Sequence, residues 1–152
     1  AWECFALGRQ LLANTEGELN TAQMDELKDY RDQALLAWEK AVASTVVHYI
    51  NDIIKDMGKM GTEDYNFASH AKHWSEMKGF ALGLQYNRFS PMSDADFSKF
   101  HEHVGTAPVL ATSDSSTIGS YKTALLDARD LIVASYGFDA ANTGDENGES
   151  GW

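Results

Sequence analysis

The sequence contains few residues that cross-link or interrupt a chain. Its single cysteine, Cys4, excludes a framework of internal disulfides. Its two prolines, Pro91 and Pro108, leave room for long uninterrupted helices. The apolar runs are too short for a transmembrane span. Basic residues number 12 against 23 acidic residues, and the resulting formal charge of −11 disfavours binding to the phosphates of nucleic acids.

The remaining composition is that of one folded domain with an acidic tail. The chain has 152 residues, 43% of them hydrophobic, and can therefore bury a sizeable core. We expect a helical domain over residues 1–138. Residues 139–152, rich in Asn, Thr, Gly, Asp and Glu, are expected to form a solvated, flexible tail. The chain starts at Ala1 with an apolar segment, so we also expect a truncated or processed N terminus.

Apolar residues recur every three or four positions along most of the chain, and this spacing predicts helices. The longest predicted helix is free of proline and glycine and is followed by Gly58 and Gly61, which end it. The predicted helices cover residues 1–14, 21–57, 66–85, 94–104 and about 115–136. The sequence therefore predicts an all-α fold, an up-and-down bundle with long antiparallel helices.

Two pairs of histidine and acid are candidates for a metal site. His73 and Glu76 are three positions apart, so a helix places them on one face. His48 and Asp52 are one turn apart on the long helix, and antiparallel pairing about residue 62 would place His48 opposite Glu76. Imidazole nitrogen and carboxylate oxygen are ligands for iron, zinc or manganese. The alternative is a hydrogen bond between His73 and Glu76 within their helix, with His48 a packed core histidine.

Other polar and aromatic residues are assigned structural positions. Glu39 and Asp56 are expected to be solvated, and Trp38 and Trp74 to be core aromatics between the two long helices. Residues 101–103, His-Glu-His, lack the spacing of a zinc-protease helix and are expected on an exposed face.

Several segments resemble a bacterial family of unknown function, DUF4856. The resemblance lies chiefly in His70–Gln85 and in Val47–Asp52, which precedes it. The connector Gly105–Leu110, the helix end Tyr136–Phe138 and Trp152 also fit the family. DUF4856 is similar to the imelysin-like proteins. These are helical-bundle proteins of the bacterial periplasm and outer membrane. They include lipoproteins and are often linked to iron uptake.

The resemblance implies both an architecture and a metal. Imelysin-like proteins carry a Gly-x-His-x-x-Glu motif proposed to bind metal, and residues 73–76 match its His-x-x-Glu part. Ala71 stands where the motif has glycine. The resemblance also implies that the chain is the C-terminal half of a larger bundle. Its expected partner is then its own missing N-terminal half or another helical chain.

Three functions follow as alternatives. The first is an imelysin-like envelope protein that binds iron, zinc or another divalent metal through His73, Glu76, His48 and Asp52. The second is a metal-free helical interaction or structural module. The third is a hydrolase, because imelysin-like proteins have been classed with peptidases. It comes last, since the sequence shows no pair of nucleophile and base and no complete metal triad. No cofactor besides a metal is expected.

Overall fold

The computed structural model describes residues 1–152, and it confirms the predicted all-α class. The chain forms five α-helices and two short 3₁₀ turns, and its only β-type pairing is an isolated bridge between Thr143 and Gly151. The α-helices are α1 (Trp2–Ala13), α2 (Thr21–Gly58), α3 (Phe67–Gly83), α4 (Asp94–Val104) and α5 (Ser115–Tyr136). The 3₁₀ turns are Leu84–Tyr86 and Ala140–Asn142.

Side-chain caps and glycines set the helix boundaries. The Asn20 side chain accepts a hydrogen bond from the backbone three residues later and completes a capping box at the start of α2. Ser93 and Asp114 cap α4 and α5 in the same way. Gly105 and Gly137 end those helices with φ angles of 70° and 60°, which favour glycine. The predicted bounds of α4 are thereby confirmed at both ends.

The core surrounds the C-terminal half of α2, which packs against α3 and α5, while α4 packs against α5. Side chains from all four helices are fully buried there: Val46, Val47, Ile50 and Ile53 of α2, Met77 and Ala81 of α3, Val104 of α4, and Leu125, Ala128 and Ile132 of α5. The N-terminal half of α2 packs with α1, and between Thr21 and Trp38 only Ala34 is buried. None of the helices combines the length and the apolar character that crossing a membrane requires.

The predicted positions of two tryptophans have different outcomes. Trp74 is half-buried and packs against the core, and its indole nitrogen donates to the Tyr121 hydroxyl of α5 at 2.8 Å. Trp38 is 63% exposed, so its assignment to the core is wrong. It lies beside the end of α3, where Gly83 and Tyr86 border an open cavity and no helix covers the indole.

The predicted solvation of two acids is also wrong. Glu39 and Asp56 are each only 6% exposed. Their burial is possible because polar groups from other parts of the chain satisfy both carboxylates, as described below. The predicted exposed face at residues 101–103 holds for Glu102 but not for His101, whose two ring nitrogens are buried.

Most residues of the acidic C-terminal segment are exposed, but the segment also contacts α2 and α5. The fully buried Asn51 donates through its amide to the carbonyls of Thr143, at 3.1 Å, and Trp152, at 3.3 Å. Arg129 donates through Nη1 to Asn51 Oδ1 at 2.7 Å and to the Asp145 carbonyl at 2.8 Å. Two buried polar side chains need partners, and the backbone carbonyls of the tail supply them.

Candidate functional site

The four predicted metal ligands are divided between separate contacts. His48 Nε2 lies 3.2 Å from Asp52 Oδ2 within α2. His73 Nδ1 lies 2.7 Å from Asp56 Oδ2, so its hydrogen bond crosses from α3 to α2. No group of three or more histidine, cysteine, aspartate or glutamate residues is placed so that it could hold a metal ion. The structure therefore gives the metal prediction no positive support.

Glu76, the fourth predicted ligand, interacts with other neighbours. Its Oε2 lies 3.9 Å from Lys72 Nζ and is buried without a hydrogen-bond partner. The pKa of Tyr49 is raised above its ordinary value, mainly by partial burial and to a smaller extent by the nearby Glu76 carboxylate. Tyr49 also stacks on the ring of His73, with 6.1 Å between ring centroids. The pairing of α2 with α3 thus brings Tyr49, rather than His48, into contact with these residues.

Asp56 and His73 belong to a small polar cluster between α2 and α3. His70 is fully buried, its Nδ1 lies 3.0 Å from the Tyr65 hydroxyl, and its Nε2 has no partner. Burial lowers the pKa of His70, so the neutral imidazole is favoured. A carboxylate and the imidazole that it orients are two of the three members of a catalytic triad, but acyl transfer also needs a hydroxyl or thiol bonded to that imidazole. The hydrogen bonds of His73 supply none.

His101 lies in a different environment, between aromatic rings. Its ring centroid lies 4.4 Å from that of Phe97, and neither ring nitrogen has a partner. Burial, with a smaller contribution from the positive charge of Lys78, lowers the pKa of His101 to about 4. The residue is therefore neutral at pH 7, and its orphaned nitrogens are a cost to the folded state.

Glu39 links the segment after α3 to the middle of α2 and to the end of α5. Its Oε1 accepts hydrogen bonds from the Tyr136 hydroxyl at 2.6 Å and from the Ser90 hydroxyl. Its Oε2 accepts one from the Asn87 side-chain amide. Burial and the adjacent carboxylate raise the pKa of Tyr136, which keeps the phenol protonated as a donor. This network fixes residues 87–90 against α2.

A cavity of about 460 Å³ lies beside the Glu39 network, between α2 and the 3₁₀ turn Leu84–Tyr86. Six hydrophobic side chains line it: Leu35, Trp38, Val42, Leu84, Tyr86 and Phe89. A second cavity of about 390 Å³ lies between α1 and α2, where Phe5, Leu12 and Leu27 contribute to its walls. Leu35 lines both cavities, so their apolar walls meet. We call the combined lining of these two cavities the hairpin surface.

Exposed hydrophobic residues concentrate in the segments that form the hairpin surface. Nine of the fourteen large hydrophobic residues that are exposed in this protein lie in α1, in the N-terminal half of α2 or in residues 84–89. They are Trp2, Phe5, Leu7, Leu12, Met24, Leu36, Trp38, Tyr86 and Phe89. Apolar surface gathered in one region of a folded chain is typical of a binding site.

Sequence reasoning identified neither the cavity nor the Glu39 network. Leu35 and Trp38 do follow the spacing of three or four positions at which apolar residues recur along the long helix, which was the available signal. That spacing could not indicate that α3 ends beside Trp38 and leaves this part of α2 uncovered.

Comparisons of the chain with protein-family models, with curated proteins and with solved structures found no match. The resemblance to DUF4856 and to imelysin-like proteins therefore stays a prediction. The arrangement of side chains is the basis for the function proposed below.

Proposed function

We propose that this protein is a binding module that holds a small, mostly apolar molecule in the larger cavity of the hairpin surface. The observation that carries the proposal is the cavity itself, about 460 Å³ in volume and walled by six hydrophobic side chains. Ligand sites in proteins have volumes of roughly 300 to 1,000 Å³, with mainly apolar walls and a few fixed polar groups. The cavity has these properties.

The surroundings of the cavity support a preformed site. The Glu39 network holds Asn87 and Ser90 in place, so the wall formed by residues 84–90 is tied to α2 and α5. Trp38 and Tyr86, at 63% and 82% exposure, present apolar rings that the protein itself does not cover. A guest in the cavity would remove part of this surface from water, which is favourable by about 25 cal/mol per Å² of apolar area.

Titration with N-phenyl-1-naphthylamine, a neutral dye that fluoresces in apolar surroundings, tests the proposal. We expect saturable binding with a change in tryptophan emission, because Trp38 lines the cavity. Leu35→Asp places a charge in the cavity wall and should weaken binding at least about tenfold. Leu110→Asp is the matched control, since Leu110 is also an exposed hydrophobic residue, at 50%, but lies in the connector between α4 and α5.

Two outcomes would contradict the proposal. The first is the absence of saturable dye binding to the unmutated protein. The second is an equal loss of binding in the Leu35→Asp and Leu110→Asp variants, which would show that the dye reports general hydrophobic exposure. Circular dichroism of both variants establishes that their helices are intact.

The metal-binding function remains a separate prediction with its own test. The bond between Asp56 and His73 resembles the carboxylate–histidine pairs that orient metal-binding imidazoles. Metal analysis after loading with Fe²⁺ or Zn²⁺ should show stoichiometric metal that is lost in the His73→Ala and Glu76→Ala variants. Background metal in the loaded, unmutated protein would reject this prediction. The envelope location and the helical partner stay linked to the resemblance alone.

A further inference from the structure

Arginine is distributed unevenly over this acidic protein. The chain has four arginines, and three of them line the cavities of the hairpin surface. Arg88 lines the larger cavity, while Arg9 and Arg31 line the smaller one. No lysine lines either cavity. In a chain with a formal charge of −11, the apolar cavities therefore carry an unusual share of the guanidinium groups.

Two of these arginines meet at one aromatic ring. The guanidinium carbon of Arg31 lies 4.7 Å from the centroid of Phe89, and that of Arg88 lies 4.8 Å from it. Such distances allow cation–π attraction, which positions both groups at the border between the two cavities. Like charges gathered at one ring repel each other, and an anion bound beside them would relieve that repulsion.

These arginines retain hydrogen-bonding capacity. Neither Arg9 nor Arg88 forms a salt bridge within the protein. Arg31 is paired with Asp32, but through Nε alone, at 2.7 Å. A guanidinium has five N–H donors. The Arg31 hydrogen bond uses only the one on Nε, and the terminal nitrogens of Arg31 have no protein acceptor. The Arg31 and Arg88 side chains can therefore each donate to an added anion.

The acid in the cavity wall does not compete for these donors. Glu39 is 6% exposed, and hydrogen bonds from Tyr136, Ser90 and Asn87 engage both of its oxygens. The charge of Glu39 is thus compensated locally by three donors. At the border, by contrast, Arg88 has no carboxylate partner, and Arg31 is paired with Asp32 through Nε alone. The border of the cavity attracts an anion, and the interior offers an apolar wall.

We infer that the ligand of the hairpin surface is a free fatty carboxylate. Its alkyl chain lies in the larger cavity against Leu35, Trp38 and Leu84, and its carboxylate is bound by Arg31 and Arg88. This inference rests on the proposed function, and it adds the chemical class of the guest. Guanidinium is suited to carboxylate because two parallel N–H groups match the two oxygens.

Dodecanoate and dodecanol separate the contribution of the carboxylate from that of the alkyl chain. Both are titrated into the full chain by calorimetry, below the concentrations at which they aggregate. We expect dodecanoate to bind about tenfold or more tightly than dodecanol, since charge-assisted hydrogen bonds are gained only by the acid. Dodecyltrimethylammonium, with the same chain and a positive head group, should bind more weakly than either.

Arg31→Gln combined with Arg88→Gln tests the assigned residues. The double variant should bind dodecanoate and dodecanol with similar affinity, because only the preference for the acid depends on the arginines. Lys99→Gln removes an exposed cation on α4 and should leave the preference unchanged.

The possible failures are distinguishable. Equal affinity of the unmutated protein for dodecanoate and dodecanol, or a preference that survives in the double variant, overturns the inference and leaves the proposed function standing. Binding of neither compound overturns both. Binding to phosphatidylglycerol vesicles without binding of monomeric dodecanoate would indicate an anionic membrane surface and would also overturn the inference.

Discussion

The two halves of α2 have different surroundings. Its C-terminal half lies within the bundle, where Ile50 and Ile53 are fully buried and Asn51 is hydrogen-bonded to the C-terminal segment. Its N-terminal half packs with α1, and Trp38 beside the end of α3 is exposed. The protein therefore buries the apolar side chains at the C-terminal half of α2 and leaves apolar surface open at the N-terminal half. The binding site that we propose lies at the N-terminal half because of this difference.

The largest expected effect on the free energy of unfolding concerns apolar side chains in the two halves of α2. Ile53→Ala should lower the free energy of unfolding by about 3 kcal/mol, because it removes buried methyl groups and leaves a cavity. Trp38→Gln should change it by less than about 0.5 kcal/mol, since the indole is already 63% exposed. Urea denaturation followed by circular dichroism measures both values. A cost for Trp38→Gln comparable with that for Ile53→Ala would remove the distinction between the two ends.

The packing of the C-terminal segment gives the second largest expected effect. A Cβ at Gly148 would clash with the Asn51 carbonyl oxygen, and the φ of 77° at Gly148 also favours glycine. Gly148→Ala should therefore destabilise the protein by roughly 2 to 3 kcal/mol. Gly17→Ala is the matched control, because Gly17 has a φ of 83° but open space around it, and should cost only about 1 kcal/mol.

Equal costs for these two substitutions would show that the tail is held loosely. Hydrogen exchange of the tail amides in the Gly148→Ala variant provides a second measurement, and we expect faster exchange than in the unmutated protein. The Asp145 loop should be affected as well, because the Asp145 carbonyl accepts from Arg129.

The two histidine–aspartate pairs, one within α2 and one between α3 and α2, give an intermediate effect. His73→Ala removes a 2.7 Å hydrogen bond from Asp56, which is only 6% exposed, and should cost about 1 to 2 kcal/mol. His48→Ala removes the partner of Asp52 at a more exposed position and should cost less than about 0.5 kcal/mol. Thermal or urea denaturation compares the two variants. A larger cost for His48→Ala would contradict the assigned burial.

The smallest expected effect is a dependence on pH. The folded-state pKa of His101, about 4, lies below its ordinary value near 6.5, so the unfolded chain binds the proton more readily. The contribution of His101 to stability is therefore lost as the pH falls from about 6.5 towards 4. His101→Leu should reduce the difference in unfolding free energy between pH 7 and pH 4.5 by about 1 kcal/mol, allowing for partial exposure. An unchanged difference would contradict the orphaned environment of the ring.

The sequence predicted the helical architecture well because its signals are local. Ser93 and Gly105 bound α4 through contacts made within a few residues of each helix end. The burial of Glu39 could not be read in this way, since its partners Asn87, Ser90 and Tyr136 lie 48 to 97 positions away along the chain. Composition alone placed Glu39 in solvent.

The same limitation explains the tail and the predicted metal site. A segment rich in Gly, Asp and Asn is typical of solvated chain, and its composition does not reveal its hydrogen bonds with the distant, buried Asn51 and Arg129. The spacing of His73 and Glu76 correctly places them on one helix, but spacing carries no information on which neighbour satisfies each side chain. Here Asp56 of α2 binds His73.

Hydrogen exchange with and without dodecanoate tests most directly the claim that the two ends differ in function. We predict that dodecanoate slows exchange in residues 31–42 and 84–90, which line or border the larger cavity, and leaves residues 139–152 unchanged. Slowed exchange confined to residues 139–152, or no slowing in residues 31–42 at saturating ligand, would contradict the account.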